Sequence, residues 1–506
     1  MGETSHDRAA PRPLAGWRAL AADVGDVVRH PLFQYLAATA AALVLLFARA
    51  PVAGVMPELF AEDGAWTSSL HTRGFWETVF HGRRGSDYPV FGNVLLLWLG
   101  RQWCDLVHGG DLLHLAGDCA RVSYLAFAAA ISLPVLLLRR QLPGVRLPAV
   151  WLLACFLPLG LHDRSPSGFE ILGRAANGGF LCLFIAFVLA WHRLANVRHR
   201  GAALTTDVGL LACAATNPLC HAILPVTIWP SLAAAGQAPH RRLWQLPTER
   251  LFPWGLVTAV IFLVTVGMPA PQAKRLPVTA PPLTPEAIVE IGLARSMLYP
   301  VAWPVYRQLS TARTLLLALV CAAVGWRLAQ PRHRAVYLGG LTVMAIASLA
   351  LVLFRTELGQ CLGGYRTTFP DRYFYAQHLV ALPLLVLLAS DAQERLRGAA
   401  RMLPGAVLVA LGLTAIVREP AWTVPTHPVS GNGRSSFAAR LAEALEQQRF
   451  VDADLRPATD GAFLEVPNPD GRPKRLIVPR EGAIRSLDRA RRLARLPPGP
   501  APRLLR

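Results

Sequence analysis

The sequence predicts an all-α polytopic membrane bundle of about eleven transmembrane helices, followed by a small α/β appendage near the C-terminal end. Composition supports this class, because 53% of the 506 residues are hydrophobic and 16% are charged, against about 25% charged in ordinary globular domains. In addition, apolar runs recur from residue 31 to residue 417, and most are close to the length with which a helix crosses a bilayer.

Arginine sets the predicted orientation of the bundle. The net charge is +19, and the arginines lie beside the apolar runs, as the positive-inside rule expects of cytoplasmic connections. This placement excludes nucleic acid as the reason for the charge. The basic connections carry Arg8, Arg12, Arg18 and Arg29; Arg139, Arg140 and Arg146; Arg193, Arg198 and Arg200; Arg241, Arg242 and Arg250; Arg327, Arg332 and Arg334; and Arg395, Arg397 and Arg401. We therefore expect the leader, residues 1–30, to be cytoplasmic in a bacterial inner-membrane protein.

The transmembrane domain is predicted to occupy residues 31–417. Its spans are expected at 31–54, 115–138, 147–161, 176–192, 203–216, 219–235, 251–269, 314–328, 335–354, 376–391 and 402–417. The run 203–235 is divided because Pro218 removes a backbone donor. Outer connections then fall at 55–114, 162–175, 270–313 and 355–375.

Residues 89–108 are apolar but carry Arg101 and Asp105. Isolated charges are costly at bilayer depth, so this stretch is predicted to be a helix at the membrane interface or a re-entrant helix. A full span here would invert the orientation of everything after it.

The C-terminal appendage, residues 418–484, is predicted to lie outside the cytoplasm. Residues 435–449 have the apolar spacing of a helix, and "GAFLEV" and "RLIV" are expected to be short strands separated by Asn-Pro-Asp-Gly turn chemistry. Residues 485–506 carry seven arginines and are predicted to be a separate basic tail. Eight scattered cysteines show no spacing typical of disulfides or zinc.

The main candidate for chemistry is the acidic pair in "LFAEDGAW", where Glu62 and Asp63 follow the first span. A carboxylate there has water on one side and lipid on the other, and partial desolvation raises a carboxyl pKa toward the range of a general base. The alternative is a helix cap or turn, since Asp-Gly is a common turn pair. Both interpretations are open at this stage.

Four features together resemble a known family. They are "F-x-E-D-G", the pattern Tyr88, Gly92 and Leu96 in an amphipathic stretch, a broken pair of spans, and Arg372-Tyr373-Phe374 at the start of a late span. In this combination residues 31–417 resemble bacterial polytopic membrane glycosyltransferases of the GT-C superfamily. The stretch "SDYPVFGN" departs from the aromatic-glycine-tyrosine pattern of many members.

The resemblance implies a GT-C-like fold and an inverting transferase. Its donor would be a polyprenyl-phosphate-linked sugar, and its acceptor a glycan, lipid or protein of the cell envelope, met on the outer face of the membrane. Asp63 is the first choice for the residue that activates the acceptor, and Glu62 the second. Some members use a divalent cation, so Mg²⁺ or Mn²⁺ at the oxygen ligands of this pair is possible without being required.

Departure of a polyprenyl phosphate calls for cations, and arginine suits phosphate oxygens because its planar fork binds two of them. The predicted substrate-binding residues are Arg372, Tyr373, Arg366, Arg164, Arg174, His162 and Tyr88. For Arg372 and Tyr373 an interfacial anchor is the equal alternative.

Three other functions compete with transfer. A lipid-linked polysaccharide polymerase or ligase also uses outer arginines, but usually has a large basic outer loop late in the chain. A lipid-oligosaccharide transporter is expected to show internal repeats and buried charge at broken helices, and the sequence has one break without duplication. A membrane scaffold without activity is the last alternative.

Overall fold

A computed structural model gives the architecture of residues 30–51, 57, 59, 62–81, 89–157, 171–195, 200–226, 284–354, 365, 371–418, 437–467 and 476–494. Within these ranges seven helices are long and apolar enough to cross a membrane, and two shorter apolar helices cover Arg146–Phe156 and Leu204–Ala214. The predicted class of a mainly helical membrane protein with a small sheet is therefore confirmed at that level. The number of spans stays a prediction.

The described helices follow the apolar runs of the sequence. They are α1 Pro31–Arg49, α2 Glu62–Thr72, α3 Phe75–His81, α4 Phe91–His108, α5 Leu112–Leu137, α6 Arg146–Phe156, α7 Cys182–Ala195, α8 Arg200–Ala214, α9 Thr311–Leu328, α10 Arg334–Phe354, α11 Tyr375–Arg395, α12 Leu403–Arg418, α13 Phe437–Glu446 and α14 Arg480–Ala494. Nine of the predicted spans overlap these helices. Of the other two, 219–235 is described only to residue 226 and 251–269 lies outside the described residues.

Polar contacts gather the basic connections at one end of the bundle. Asp391, near the end of α11, accepts hydrogen bonds from the Gln330 backbone, His333 and Tyr337 at 2.8 to 2.9 Å. Its neighbour Glu394 pairs with Arg146 at the start of α6. Since the connections before α6, before α10 and after α11 meet here, the structure supports placing them on one side, which we call the basic end.

A buried arginine organises the opposite end. Arg49 closes α1 with 1% of its surface exposed, and its guanidinium donates to the Cys155 carbonyl at 2.6 Å and to the Leu157 carbonyl. These acceptors are terminal carbonyls of α6 that have no partner within the helix. The C-terminal ends of α1 and α6 therefore lie together, as the predicted alternation of spans requires.

The stretch predicted to lie at the interface is helix α4. Gly109, in the left-handed region at φ 61°, ends it, and the chain turns back into α5. Gly100 allows close packing of the two helices, because a Cβ there would lie 2.7 Å from the Cys119 Sγ. The other side of α4 exposes Trp98, Trp103 and Leu106. This amphipathic pattern agrees with an interface helix, while depth in a membrane stays a prediction.

The appendage is a small α/β unit, as expected. Its antiparallel strands are β1 Phe450–Val451, β2 Phe463–Val466 and β3 Leu476–Pro479, in the order β1-β2-β3. In the register, Leu464 pairs with Val478 and Val466 with Leu476, so their apolar side chains share one face. The predicted boundary at 484/485 falls inside α14, whose Ala483 and Leu487 are buried with the sheet, so the basic tail does not begin there.

The description of 270–313 as an outer loop is wrong for residues 284–308. Pro285–Ala287 opens a helix that becomes a π-helix over Ile288–Leu298, here called the π-segment. Tyr299–Ala302 and the 3-10 turn Trp303–Gln308 follow. The π-segment packs against α9, α10 and α11, and buries Glu290 and Arg295. Prolines flank this stretch, and because proline-rich stretches are typical of loops, the sequence predicted a loop here.

Candidate functional site

The acidic pair begins a helix. Glu62 and Asp63 stand in the first turn of α2, where the free backbone N–H groups favour negative charge. Asp63 is only 3% exposed and lies within electrostatic range of the Cys119 thiol of α5. The position thus fits both the cap and the catalytic interpretation, but the predicted contact of Asp63 with water is wrong in this conformation.

The appendage covers this helix. The Ile477 backbone N–H of β3 donates to the Ser68 Oγ at 2.6 Å, and that hydroxyl in turn donates to the Gly64 carbonyl at 2.7 Å. The position of a Cβ on Gly64 is 3.7 Å from the Leu476 Cβ. Strand β3 therefore rests directly on the first two turns of α2, the helix in which Asp63 is buried.

A second set of contacts joins the appendage to the turn between α4 and α5. Arg489 of α14 lies 3.7 Å from the Asp111 carboxylate, and the Leu112 backbone N–H donates to the Ser486 hydroxyl at 3.0 Å. Asp111 is also the N-cap of α5. The appendage thus contacts the bundle along α2 and at the start of α5.

A short 3-10 turn, Ala175–Leu181, lies at the centre of the predicted site, and we call it the hub turn. It contacts α2, α4 and the 3-10 turn Asp371–Tyr373. Its glycines permit this, because a Cβ on Gly178 would lie 2.5 Å from a Leu96 methyl and one on Gly179 would lie 2.4 Å from the Asn93 Oδ1. The sequence had assigned this stretch to the start of an ordinary span.

The break at Asn217-Pro218 secures the hub turn. The Asn217 amide donates to the Gly179 carbonyl at 3.1 Å, and its oxygen accepts from the Leu219 N–H at 2.9 Å, which caps the 3-10 helix Pro218–Ile223. His221 lies 2.8 Å from the Pro218 carbonyl through its Nδ1. Since a carbonyl only accepts, the His221 Nδ1 donates this hydrogen bond.

Two of the predicted cations flank the hub turn. Arg174 immediately precedes it and is fully buried. Arg372 is partly exposed, with its guanidinium 5.0 Å from the centre of the Tyr373 ring and 3.3 Å from the Tyr373 hydroxyl. Tyr373 packs edge-on against Phe180 of the hub turn at 5.1 Å. Asp63, Arg174 and Arg372 therefore belong to elements that meet at one turn.

His71, in the last turn of α2, is a neutral member of this region. Burial, followed by the positive charge of Arg101, lowers its pKa to about 4. Its Nε2 is buried without a hydrogen bond in the part of the chain that the structure covers. At neutral pH the His71 ring of α2 is therefore uncharged.

Four predicted site residues, His162, Arg164, Arg366 and Tyr88, lie outside the described residues, and so does the side chain of Glu62. Sequence reasoning missed the buried pair Glu290 and Arg295. The available signal was their spacing of five residues in an apolar stretch, which a π-helix aligns and an α-helix does not.

Comparison with known proteins adds no family assignment, because no protein-family model and no curated protein matches the chain.

Proposed function

We propose that this protein transfers a sugar from a polyprenyl-phosphate-linked donor to a glycan, lipid or protein acceptor of the cell envelope, on the outer face of the inner membrane. The observation that carries the proposal is the hub turn. It contacts the helix that begins with Glu62 and Asp63 as well as the turn that bears Arg372, and Arg174 leads into it. Elements that carry an acid and two cations thus meet at the end of the bundle opposite the basic end.

The proposed reaction divides its work between these groups. The acceptor hydroxyl or amide loses its proton to the Asp63 carboxylate while its oxygen or nitrogen forms a bond to the anomeric carbon. The bond from that carbon to the carrier phosphate breaks, and the electron pair stays on the phosphate. Arg372 and Arg174 neutralise the charge on the departing phosphate, and attack opposite to it inverts the anomeric centre.

Access to Asp63 requires movement of the appendage in this proposal. Asp63 is 3% exposed in the helix on which β3 packs, so the described conformation is closed at the acid. We propose that substrates reach it when β3 separates from α2. The opening breaks the polar contacts of β3 and α14 and separates the sheet from Trp66 and Leu70 of α2, with which it shares a buried apolar cluster, while the rest of the bundle stays folded.

A divalent cation is not part of the proposed steps. The carboxylate oxygens of Glu62 and Asp63 would be the ligands of Mg²⁺ or Mn²⁺ if such a cation binds. We assign proton transfer and charge neutralisation to the chain's own side chains.

The experiment is mass spectrometry of cell-surface glycans and glycolipids from a deletion strain complemented with wild type, Asp63→Asn or Glu62→Gln at matched membrane levels. Loss of a general base slows such steps by about 10² to 10⁴-fold, so we expect deletion to remove one sugar mass and Asp63→Asn not to restore it. The matched control is Asp105→Asn, because this carboxylate of α4 is half exposed and lies 3.9 Å from Arg101, away from the hub turn.

The outcomes separate the functions. Full restoration by both acidic-pair variants would reduce the pair to a helix cap and overturn the catalytic assignment. Shorter glycans of unchanged repeat composition would indicate a polymerase or ligase instead. Retention of lipid-linked intermediates inside the cell would indicate a transporter.

A further inference from the structure

The second polar centre of the molecule is built on the π-segment. Its irregular geometry is visible in two contacts: the Ser296 hydroxyl donates to the Ile291 carbonyl, five residues back, at 2.8 Å, and His378 of α11 donates through Nε2 to the Arg295 carbonyl. π-Helices are rare and are frequently found at functional sites. This one spans eleven residues in the interior of the bundle.

Two polar groups of this centre are buried without a hydrogen bond among the described residues: the Glu290 Oε1 and the Gln377 Nε2. Arg295 is the ionic partner of Glu290, but the two side chains are 3.7 Å apart, beyond hydrogen-bonding distance. Gln377 is fully buried, and its amide oxygen lies 3.4 Å from the Ser348 hydroxyl, which also donates to the Met344 carbonyl at 2.6 Å. Each such unpaired group costs about 1 to 3 kcal/mol, so two together call for a reason.

Both groups belong to one seam between the π-segment, α10 and α11. Ser348 of α10 contacts Gln377, and Leu351, one helical turn further on, packs in the same cluster as Ile291, the neighbour of Glu290. Tyr373, next to the hub turn, also belongs to that cluster. The seam therefore continues from the candidate site into the bundle.

Aromatic rings border this seam. Tyr299 lies against His378 with ring centres 4.6 Å apart, Tyr306 is 5.7 Å from Tyr299, and Tyr365 is 5.5 Å from Tyr306. The Arg295 Nε donates to the Tyr306 hydroxyl at 3.1 Å. Arginine and tyrosine thus order one side of the centre through hydrogen bonds.

The chemistry of the centre selects one class of ligand. The charges of Glu290 and Arg295 cancel. A free anion would therefore be repelled by the carboxylate, and a cation would be repelled by the guanidinium. A hydrocarbon would leave the carboxylate oxygen and the amide unpaired. A carbohydrate supplies hydroxyl donors, ring and hydroxyl acceptors, and apolar C–H faces that pack on aromatic rings.

We propose that this seam, which we call the π-seam, is a carbohydrate-binding site. A sugar hydroxyl donates to the Glu290 Oε1, the Gln377 amide donates to a sugar oxygen, and the rings of Tyr299 and Tyr306 pack against the sugar. The inference goes beyond the proposed function, because a transferase, a polymerase and a carrier of glycans would each need such recognition. It does not depend on proton transfer to Asp63.

The test is saturation-transfer difference NMR on the full chain in nanodiscs, which excludes sugar detergents. The probes are D-glucose, D-galactose, D-mannose, L-arabinose and N-acetyl-D-glucosamine at millimolar concentration. At least one should receive saturation on its C–H protons. Gln377→Leu should weaken its binding about 10-fold, the equivalent of one hydrogen bond, and should keep or raise the thermal midpoint because an unpaired buried amide is removed.

The control for the side chain is Gln308→Leu, since Gln308 is an exposed glutamine at the end of the turn after Tyr306. It should leave sugar binding unchanged. A failure of sugar transfer with sugar binding intact would overturn the proposed function and not this inference. The inference is overturned if no probe receives saturation, if Gln377→Leu binds like wild type, or if inorganic phosphate displaces the bound sugar.

Discussion

His71 gives the clearest residue-level consequence of burial near the candidate site. Its pKa falls to about 4 in the folded protein, below the ordinary value of 6.5, so the unfolded chain takes up its proton first as pH falls. The stability it contributes is present above pH 6.5 and is lost as the pH falls toward 4. A shift of this size corresponds to at most about 3 kcal/mol.

We therefore expect the thermal midpoint of wild type, followed by tryptophan fluorescence, to fall between pH 7 and pH 4.5. His71→Asn should flatten this decline, because asparagine takes up no proton. His30→Asn is the control, since His30 is exposed and caps α1 through an acceptor that asparagine retains. A parallel decline in wild type and His71→Asn would contradict the assignment.

At the scale of residues, the sequence indicated which residues carry reactive groups better than it indicated what packs around them. Asp63 stood out because an acidic pair follows an apolar run, and Arg372 because it precedes one. The docking of a strand on the helix of Asp63 could not be predicted, because that strand comes from residues 476–479, and no local pattern reports a contact over more than 400 positions.

At the scale of elements, hydrophobic run length predicted the regular helices well. The predicted spans 335–354 and 402–417 correspond to α10, Arg334–Phe354, and α12, Leu403–Arg418. The hub turn and the π-segment were missed because their geometry is decided by packing. The close approach of Asn93 to Gly179 is a tertiary contact, and the ion pair of the π-segment joins residues five positions apart, so a 3.6-residue period indicates neither.

The strand that covers α2 is the element whose movement we expect to matter most. Its contact offers a direct lock, because the Cβ position of Gly64 lies 3.7 Å from that of Leu476, within the usual range for a disulfide. The double variant Gly64→Cys with Leu476→Cys should therefore form a disulfide under oxidising conditions. Locked in this way, the protein should lose sugar transfer, and reductant should restore it.

Each single variant serves as a control for the loss of glycine or leucine. Gly74→Cys with Leu476→Cys is the mismatched pair, because Gly74 is exposed and no atom lies near its Cβ position. Peptide mapping by mass spectrometry reports the bond, and glycan analysis reports activity. Full activity in a quantitatively cross-linked protein would contradict the requirement for opening, whereas absence of the bond would contradict the docking of β3.

At the scale of the whole molecule, the two ends of the bundle differ in chemistry. At the basic end Glu394 pairs with Arg146 and Arg332. Asp391 accepts from His333, and Arg395 donates to the Arg327 carbonyl near the end of α9. The other end carries the acidic helix α2, the hub turn and the appendage. The positive-inside rule then predicts that the basic end faces the cytoplasm and the appendage faces outward.

Reporter fusions test this orientation. Alkaline phosphatase, which is active only outside the cytoplasm, should be active when fused after Arg506 and inactive when fused after Gly144 in the turn between α5 and α6. Green fluorescent protein should give the opposite pattern at the same two positions. Because β3 and α14 contact α2 and the start of α5, the appendage and the acidic pair must lie on the same side in either orientation. A reversed pattern would therefore carry Asp63 to the cytoplasmic face, away from donors presented outside, and would exclude the proposed reaction while leaving the fold and the π-seam unaffected.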